Sequence, residues 1–501
     1  MYRGLCILFF VMICTTVRVC AQVRPDTLQM AKQLRDKAKY KEASHLLAAY
    51  QEHYPKDINA LWLHAQTEYW RHHFRLSQKL YARGLNMQPE KDLLRLDYAH
   101  SLLGMGDWKK ADKVLHALER QDKAYSDQLL MRAQITYYQG DYIKAAKQVK
   151  MAIDSNTQST AAKELAEDIA IAKAPWVKVG TSFSVDNQPM KIATPSVEAG
   201  IYMHQYSSLR MSFYNPIIVR NDVKSAQMVS VGDVSSFANI GLLLKGNIGL
   251  SVFPNERTAT WTGDIYLQKT FIKYLIFDVL AEHKPYLYTS SSIDSTLSTG
   301  HITSSIGWSD QTYVNGRLGF DMQLMRGGNY IYTLYGYAYA PVIKISFMHL
   351  SLGYSYSYSD SRYNDYTSAR PLDTIIRHFI TTQGITGIYV PYFTPHAQQI
   401  HSALILLKLN PMRSLEIGAS ASIGFYAYTQ NPYLYLDKSS TNEVYIARDY
   451  SRETFIPIDA GVYVEYRFAK NYSLKADYKY RSTYFYSSNA VGLSFKMSIR
   501  K

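Results

Sequence analysis

The 501-residue sequence has only three cysteines, Cys6, Cys14 and Cys20, all near its start. The chain beyond them can form neither a disulfide nor a thiolate metal site, which excludes a disulfide-stapled scaffold. Charge is also scarce: 19% of residues are Asp, Glu, Lys or Arg, below the ~25% of an average domain. With 47% hydrophobic residues, so little charge excludes a disordered chain. The net charge of +14 is spread along the sequence without a Lys/Arg run, so no nucleic-acid partner is expected. After the first residues no uncharged apolar stretch is long enough for a membrane-spanning helix. Neither a G-x-S-x-G nor an H-E-x-x-H motif occurs. His349 near Ser351 and His401 near Ser402 are weak hydrolase candidates, and the chain reads as a non-enzyme with no catalytic residue. No cofactor and no metal is expected. His72 and His73, adjacent on a helix, would point about 100° apart rather than to one ion.

Tyrosine, by contrast, is abundant: 44 residues, 33 of them after position 175. The chain opens with an address. Arg3 supplies a positive start, Leu5–Val17 is apolar but too short to span a bilayer, and Val19-Cys20-Ala21 fits a cleavage site. Residues 1–21 therefore read as a secretory signal peptide.

A 34-residue repeat follows. It aligns Ala31, Ala65, Ala99 and Ala133. It also aligns Tyr40, Phe74, Trp108 and Tyr142, and Ala43, Ser77, Ala111 and Ala145. Small residues at fixed places let two helices approach, an aromatic fills the space after the turn, and Pro55 and Pro89 end the second helix. The register resembles the tetratricopeptide (TPR) family, with about four repeats and a capping helix over 159–173, inside a domain spanning 22–175. The resemblance implies a concave binding face built mainly from the first helix of each repeat. In this sequence that face carries Lys32, Arg35, Asn59, Trp62, Gln66, Tyr69, Trp70, His100, Asp127, Gln134, Tyr137 and Tyr138. Aromatics interleaved with amides could stack on sugars or grip a peptide. Packing between repeats competes with that role, more for Trp70 and Tyr138 than for Tyr69 and Tyr137.

From Pro175-Trp176 onward the pattern changes to period-two alternation, as in Leu350–Ser359, Leu474–Arg481 and Val491–Arg500. Segments 317–324, 415–425 and 461–468 repeat it. Short turns such as Arg326-Gly327-Gly328-Asn329, Asn410-Pro411 and Lys470-Asn471 are interspersed with longer polar stretches at 287–302, 359–384 and 429–454. Strands of ~10 residues suit a membrane better than a soluble sandwich. Tyrosines near strand ends, such as Tyr335, Tyr337, Tyr339, Tyr484 and Tyr486, suit an interfacial girdle. Residues 176–501 are thus expected to form an antiparallel transmembrane β-barrel of about 14–16 strands. The fold class is α plus β multidomain, an α-solenoid followed by that barrel.

The order of parts, together with Tyr389-Val390-Pro391-Tyr392-Phe393-Thr394-Pro395, resembles the YaiO-type outer-membrane β-barrel family. It is more loosely similar to the TPR–barrel exopolysaccharide exporters of the PgaA and BcsC type. The resemblance implies an outer-membrane location, a periplasmic TPR domain, and partners comprising outer-membrane lipid and a periplasmic protein or polysaccharide. Three functions are open: polysaccharide export, a membrane-anchored docking scaffold, and a lipid-modifying enzyme on the barrel rim. The barrel segment's seven excess positive charges would suit an anionic or hydrogen-bonding polymer.

Overall fold

The computed structural model describes residues 27–119, 126–187, 190–220, 222–272, 274–309, 313–377 and 385–499. The signal peptide expected over 1–21 lies outside them. The described residues form two compact units. One contains residues up to 135 together with 147–163, and the other contains 136–146 together with 164 onward.

Before the strands begin, nine helices occur among the described residues: α1 (Thr27–Asp36), α2 (Tyr40–His53), α3 (Ile58–Trp70), α4 (Phe74–Met87), α5 (Asp92–Gly104), α6 (Trp108–Glu119), α7 (Ser126–Tyr138), α8 (Tyr142–Ser155) and α9 (Thr160–Lys173). Their starts keep the repeat: 58, 92 and 126 for one helix of each pair, and 40, 74, 108 and 142 for the other. All eight small register residues, the seven alanines and Ser77, are fully buried. A larger side chain at any of them would push the paired helices apart. Ser77 is tolerated in place of alanine because its hydroxyl donates to the Ala65 carbonyl, at 2.8 Å.

The turn inside each repeat also keeps register. Ala38, His72, Gly106 and Gly140 are spaced by the repeat and all have left-handed φ, at 59°, 62°, 72° and 83°. An L-residue there costs about 1–2 kcal/mol, of which glycine's greater unfolded-state freedom gives back roughly half. Ala38→Gly should therefore stabilise the helical array by about 0.5–1 kcal/mol. Thermal unfolding followed at 222 nm checks this, as a raised midpoint.

The strands are β1 (Trp176–Asp186), β2 (Lys191–His204), β3 (Ser207–Tyr214), β4 (Ile217–Val219), β5 (Val223–Ser225), β6 (Gln227–Phe237) and β7 (Leu242–Phe253). Then come β8 (Thr258–Ile272), β9 (Leu275–Pro285), β10 (Ser298–Ser309), β11 (Asn315–Leu324), β12 (Tyr330–Ile345) and β13 (Met348–Ser361). The last are β14 (Tyr366–Ser368), β15 (Gly387–Tyr389), β16 (Gln398–Met412), β17 (Leu415–Lys438), β18 (Val444–Thr454), β19 (Ile458–Ala469), β20 (Tyr472–Ser482) and β21 (Ser487–Ser498). Sixteen of them close a barrel in which every neighbour is antiparallel, β1 pairing with β21 through Val179↔Phe495. The other five are extensions of the connections. β4 and β5 form a hairpin, β14 and β15 lie within the β13–β16 connection, and β18 pairs with the outer half of the 24-residue β17 while β19 pairs with its inner half. Closure leaves none of the sixteen barrel strands with an unpaired edge, as lipid demands.

Alternation separates two faces. Ile248, Ile265 and Leu318 are each 67% exposed on the outside, an apolar surface of the kind a barrel turns to lipid. The opposite face is polar and paired: Lys178 with Glu198 at 2.8 Å and Asn247 with Asp264 at 2.8 Å. The connections divide by end. Two-residue turns join β2–β3, β8–β9, β12–β13, β16–β17 and β19–β20, while the long connections 286–297, 362–397 and 424–457 all lie at the other end. The expected polar stretch 429–454 is not a loop but the projecting β17–β18 hairpin, and β10 already begins at Ser298. The turn expected at Asn410-Pro411 falls just beyond it, because β16 runs to Met412.

The girdle is built from different residues than the sequence suggests. Leu334 is exposed on the lipid face and pairs with Phe320, so strand alternation turns Tyr335, Tyr337 and Tyr339 into the lumen. Tyr484 and Tyr486 sit in the β20–β21 turn. The lipid-facing aromatics at the turn end are instead Phe468, Tyr472 and Phe495, stacked 5.6–6.2 Å apart, and the Tyr274–Trp308 pair at 5.4 Å. Towards the loop end they are Tyr354, Tyr356, Phe425 and Tyr426 around His401, whose Nδ1 is 2.6 Å from the Tyr354 hydroxyl.

Candidate functional site

Three places could carry function: the helical groove, the lumen and the mouth at the loop end. In the groove, the structure draws Arg35, Trp62 and Gln66 into one network around Asp97. The Trp62 indole N–H, the Gln66 amide and the Tyr81 hydroxyl all donate to one Asp97 oxygen, at 2.6, 2.9 and 2.7 Å. Arg35 donates to the Gln66 carbonyl oxygen. Lys91 donates to Asn59 at 2.7 Å and lies 5.3 Å from the Trp62 ring centre. Asp97 of the third repeat is bonded directly to the second and, through Gln66 and Arg35, is linked to the first, yet it stands outside the register of candidates. The only hint in the sequence is a lone carboxylate between the buried Leu96 and Tyr98.

Tyr69 packs rather than presents itself: its hydroxyl occupies the place a side chain on Gly104 would need. Trp70 is 55% exposed, stacked on Tyr40 at 6.3 Å. Lys32, His100 and Asp127 are exposed and Gln134 is half-buried. Tyr137 and Tyr138 belong to the second compact unit, where Tyr138 is 51% exposed and Tyr137 packs on Tyr142 at 5.5 Å. Within the first unit the groove residues form an internally bonded row and scattered exposed side chains.

The lumen is lined by hydroxyls, tyrosines and charges. On β12 and β13 the inward residues are Tyr335, Tyr337 and Tyr339 beside Ser351, Ser355, Ser357 and Ser359. The Tyr335 ring lies across Gly319, where any side chain would collide with it. The β9–β11 wall is internally neutralised: His301 bridges Glu282 (3.0 Å) and Asp321 (2.6 Å), and Arg317 pairs with Asp278 at 3.0 Å. The weak hydrolase pair His401 and Ser402 is separated by the strand itself, since adjacent residues point to opposite faces. His349 and Ser351 share the lumen face, two residues apart.

Converging loops bridge the mouth. Around a ring of sixteen strands, the β9–β10 connection and the β20–β21 turn lie on opposite sides, with the β13–β16 connection halfway between. Strands ~4.8 Å apart and tilted ~40° give a barrel roughly 30 Å across. Yet the five residues 389–393 of the halfway connection, at most ~17 Å long, reach both sides. Phe393 stacks on Phe485 at 3.6 Å and 19°. Tyr392 packs with Leu297, Met325 and Tyr286, and Thr289 donates to the Pro391 carbonyl at 2.5 Å. The Tyr286 phenol is pushed up by burial and then by the phenols of Tyr288, Tyr486 and Tyr392 beside it. Burial and a hydrogen bond to Asp365 push Tyr392 up to about 12. The β9–β10 connection is itself anchored, through Ile293 against Met190 and Ile218 and through Asp294 to Lys224 at 2.6 Å.

No family profile and no curated protein matches the chain. Among solved structures it is similar to a bacterial polysaccharide outer membrane secretin. The identity is 9%, over 66% of this chain and 99% of the other, with a TM-score of 0.47. The helical part is similar to a tetratricopeptide repeat protein from Parabacteroides merdae (18% identity, 28% of this chain and 56% of the other, TM-score 0.26). It is also similar to a thermophilic TPR protein from Thermus thermophilus (20% identity, 29% and 86%, TM-score 0.26). The fold assignment rests on the helix register and strand pairing above.

Proposed function

We propose that this protein is an outer-membrane exit channel for an extracellular polysaccharide, with its turn end and helical array on the periplasmic side. The observation that carries the reading is the lumen: a sixteen-strand barrel is wide enough for a hydrated chain, and this one is lined with tyrosine and serine hydroxyls. Loops bridging the mouth fit a channel that opens for its cargo. In this reading the chain is similar to YaiO-type barrels, and its partners are outer-membrane lipid around the barrel and a periplasmic protein or the polymer itself on the helical array. The barrel moves or holds its cargo without chemistry.

A second reading is favoured by the mouth itself. A barrel whose mouth is bridged by its own loops could simply anchor a docking array. Deleting the gene should abolish surface polysaccharide if the channel reading holds, and the helical array on a different outer-membrane anchor should fail to restore it. Restoration by that fusion would favour the scaffold and remove the channel.

A further inference from the structure

Many lumen charges are paired, but two lysines on one stretch of wall, Lys475 and Lys479, have no ion pair among the described residues. On the inner wall towards the turn end, β12, β13, β16, β17, β19 and β20 line a pocket of about 420 Å³. Its floor is small and polar, with Ser351, Gly418, Ser420 and Gly461. Tyr339 stands at one side, nearly parallel to Tyr337 at 6.2 Å. At the other side Tyr463 lies flat across Gly418, where a side chain would collide with its ring, and donates its hydroxyl to Glu416 at 2.7 Å.

Cations line this pocket from β16 and β20. Lys408 is paired with Glu416 at 2.9 Å, and Arg481, next along the same face, is paired with Asp459 at 3.1 Å. Lys475 and Lys479 have no carboxylate within 4 Å among the described residues. Lys475 rests over the Tyr463 ring, 4.6 Å from its centre, so the tyrosine positions it. Asp477 lies between the two lysines on the same strand face and offsets part of their charge. The arrangement offers a planar aromatic edge, hydroxyl donors at the floor and two lysines on one strand face, with their Cα atoms ~13 Å apart and Asp477 between them.

We propose that this pocket is a saccharide subsite for an acidic sugar: a uronate residue seated against Tyr339, its hydroxyls bonded to Ser351 and Ser420, its carboxylate held by Lys475 and Lys479. The inference rests on the export reading and narrows it to an anionic polymer. A carboxylate held by ammonium groups gains charge-assisted hydrogen bonds that a neutral sugar cannot offer. The pocket's place near the turn end puts it where a polymer would enter.

The test uses the full chain in lipid nanodiscs, with hexagalacturonate as probe and cellohexaose as neutral control, read by calorimetry. Hexagalacturonate should bind at least about tenfold tighter than cellohexaose and weaken as salt rises. The double variant Lys475→Gln/Lys479→Gln should lose about tenfold or more of that affinity. Ser351→Trp, which fills the pocket without touching a charge, should lose it as well. Equal binding of the two hexasaccharides, or wild-type affinity in either folded variant, overturns the subsite. Surface polysaccharide in the deletion strain reports on export separately. Lysine-dependent binding with export intact keeps the subsite and removes the exporter, while lost export with no uronate preference does the reverse.

Discussion

Replacing residues 363–394 with a four-residue glycine–serine linker should open the barrel. In planar bilayers the conductance of the purified protein is expected to rise about tenfold or more, because a sixteen-strand barrel without an obstruction leaves an aqueous channel. The expectation follows from where the segment's contacts lie. β13 and β16 are adjacent strands, so a short connection suffices between them, and everything longer is free to reach elsewhere. It reaches Phe485 on one side of the ring and Tyr286, Leu297 and Thr289 on the other. Its removal takes the central aromatic cluster from the mouth while leaving the β9–β10 connection held by Met190, Ile218 and Lys224. The double change Phe393→Ala/Phe485→Ala should give a smaller rise, with flickering between levels. A conductance unchanged by the replacement would place the barrier inside the lumen instead.

Much of this architecture was legible in the residues, and the failures have a common cause. The helical register was readable because TPR contacts are local: the helices carrying Ala31 and Ala43 pack within one repeat, and the next repeat does the same 34 residues on. Strands were readable from alternation, but alternation does not say which face is wet. Tyrosine serves lipid headgroups, lumen and loop packing equally well. Tyr335, Tyr337 and Tyr339 therefore looked like a girdle, although Leu334, Gly336 and Ala338 between them are what meets lipid. The phase could have been taken from Leu318 and Phe320 on the neighbouring strand, had the pairing been known. The mouth and the lysine pocket were out of reach for the same reason. Phe393 meets Phe485, and Ser351 shares a pocket with Lys475, across roughly a hundred residues of sequence. Tyr389–Pro395 stood out as a motif before its contacts were visible.

Within the helical array, Glu68→Ala should be the most damaging single change. The Glu68 side chain is fully buried in α3 and accepts hydrogen bonds from Arg71 and His73, both at 2.7 Å, with His64 at 3.6 Å. Arg71 in turn bonds Ser44 of the preceding repeat at 2.6 Å. Removing the carboxylate leaves this cluster of donors facing each other, and breaking a buried pair typically costs about 3–5 kcal/mol. For a unit of this size that is roughly 6–20 °C in the midpoint of the helical transition followed at 222 nm. The same cluster sets a pH dependence. Burial would raise the Glu68 pKa, but the hydrogen bonds from Ser44, Arg71 and His73 outweigh it and hold the carboxyl below its ordinary value. Burial lowers His64, against the opposing pull of Glu68. Both groups therefore bind protons less readily when folded than when unfolded. Their contributions are present in full above about pH 6.5 and are lost as pH falls, first through His64 and then through Glu68. The helical midpoint should drop steadily between pH 7 and pH 4 in the wild type, and more shallowly in Glu68→Gln, which has no carboxylate left to protonate. A wild-type midpoint independent of pH over that range would remove the cluster from any role in holding the repeats together.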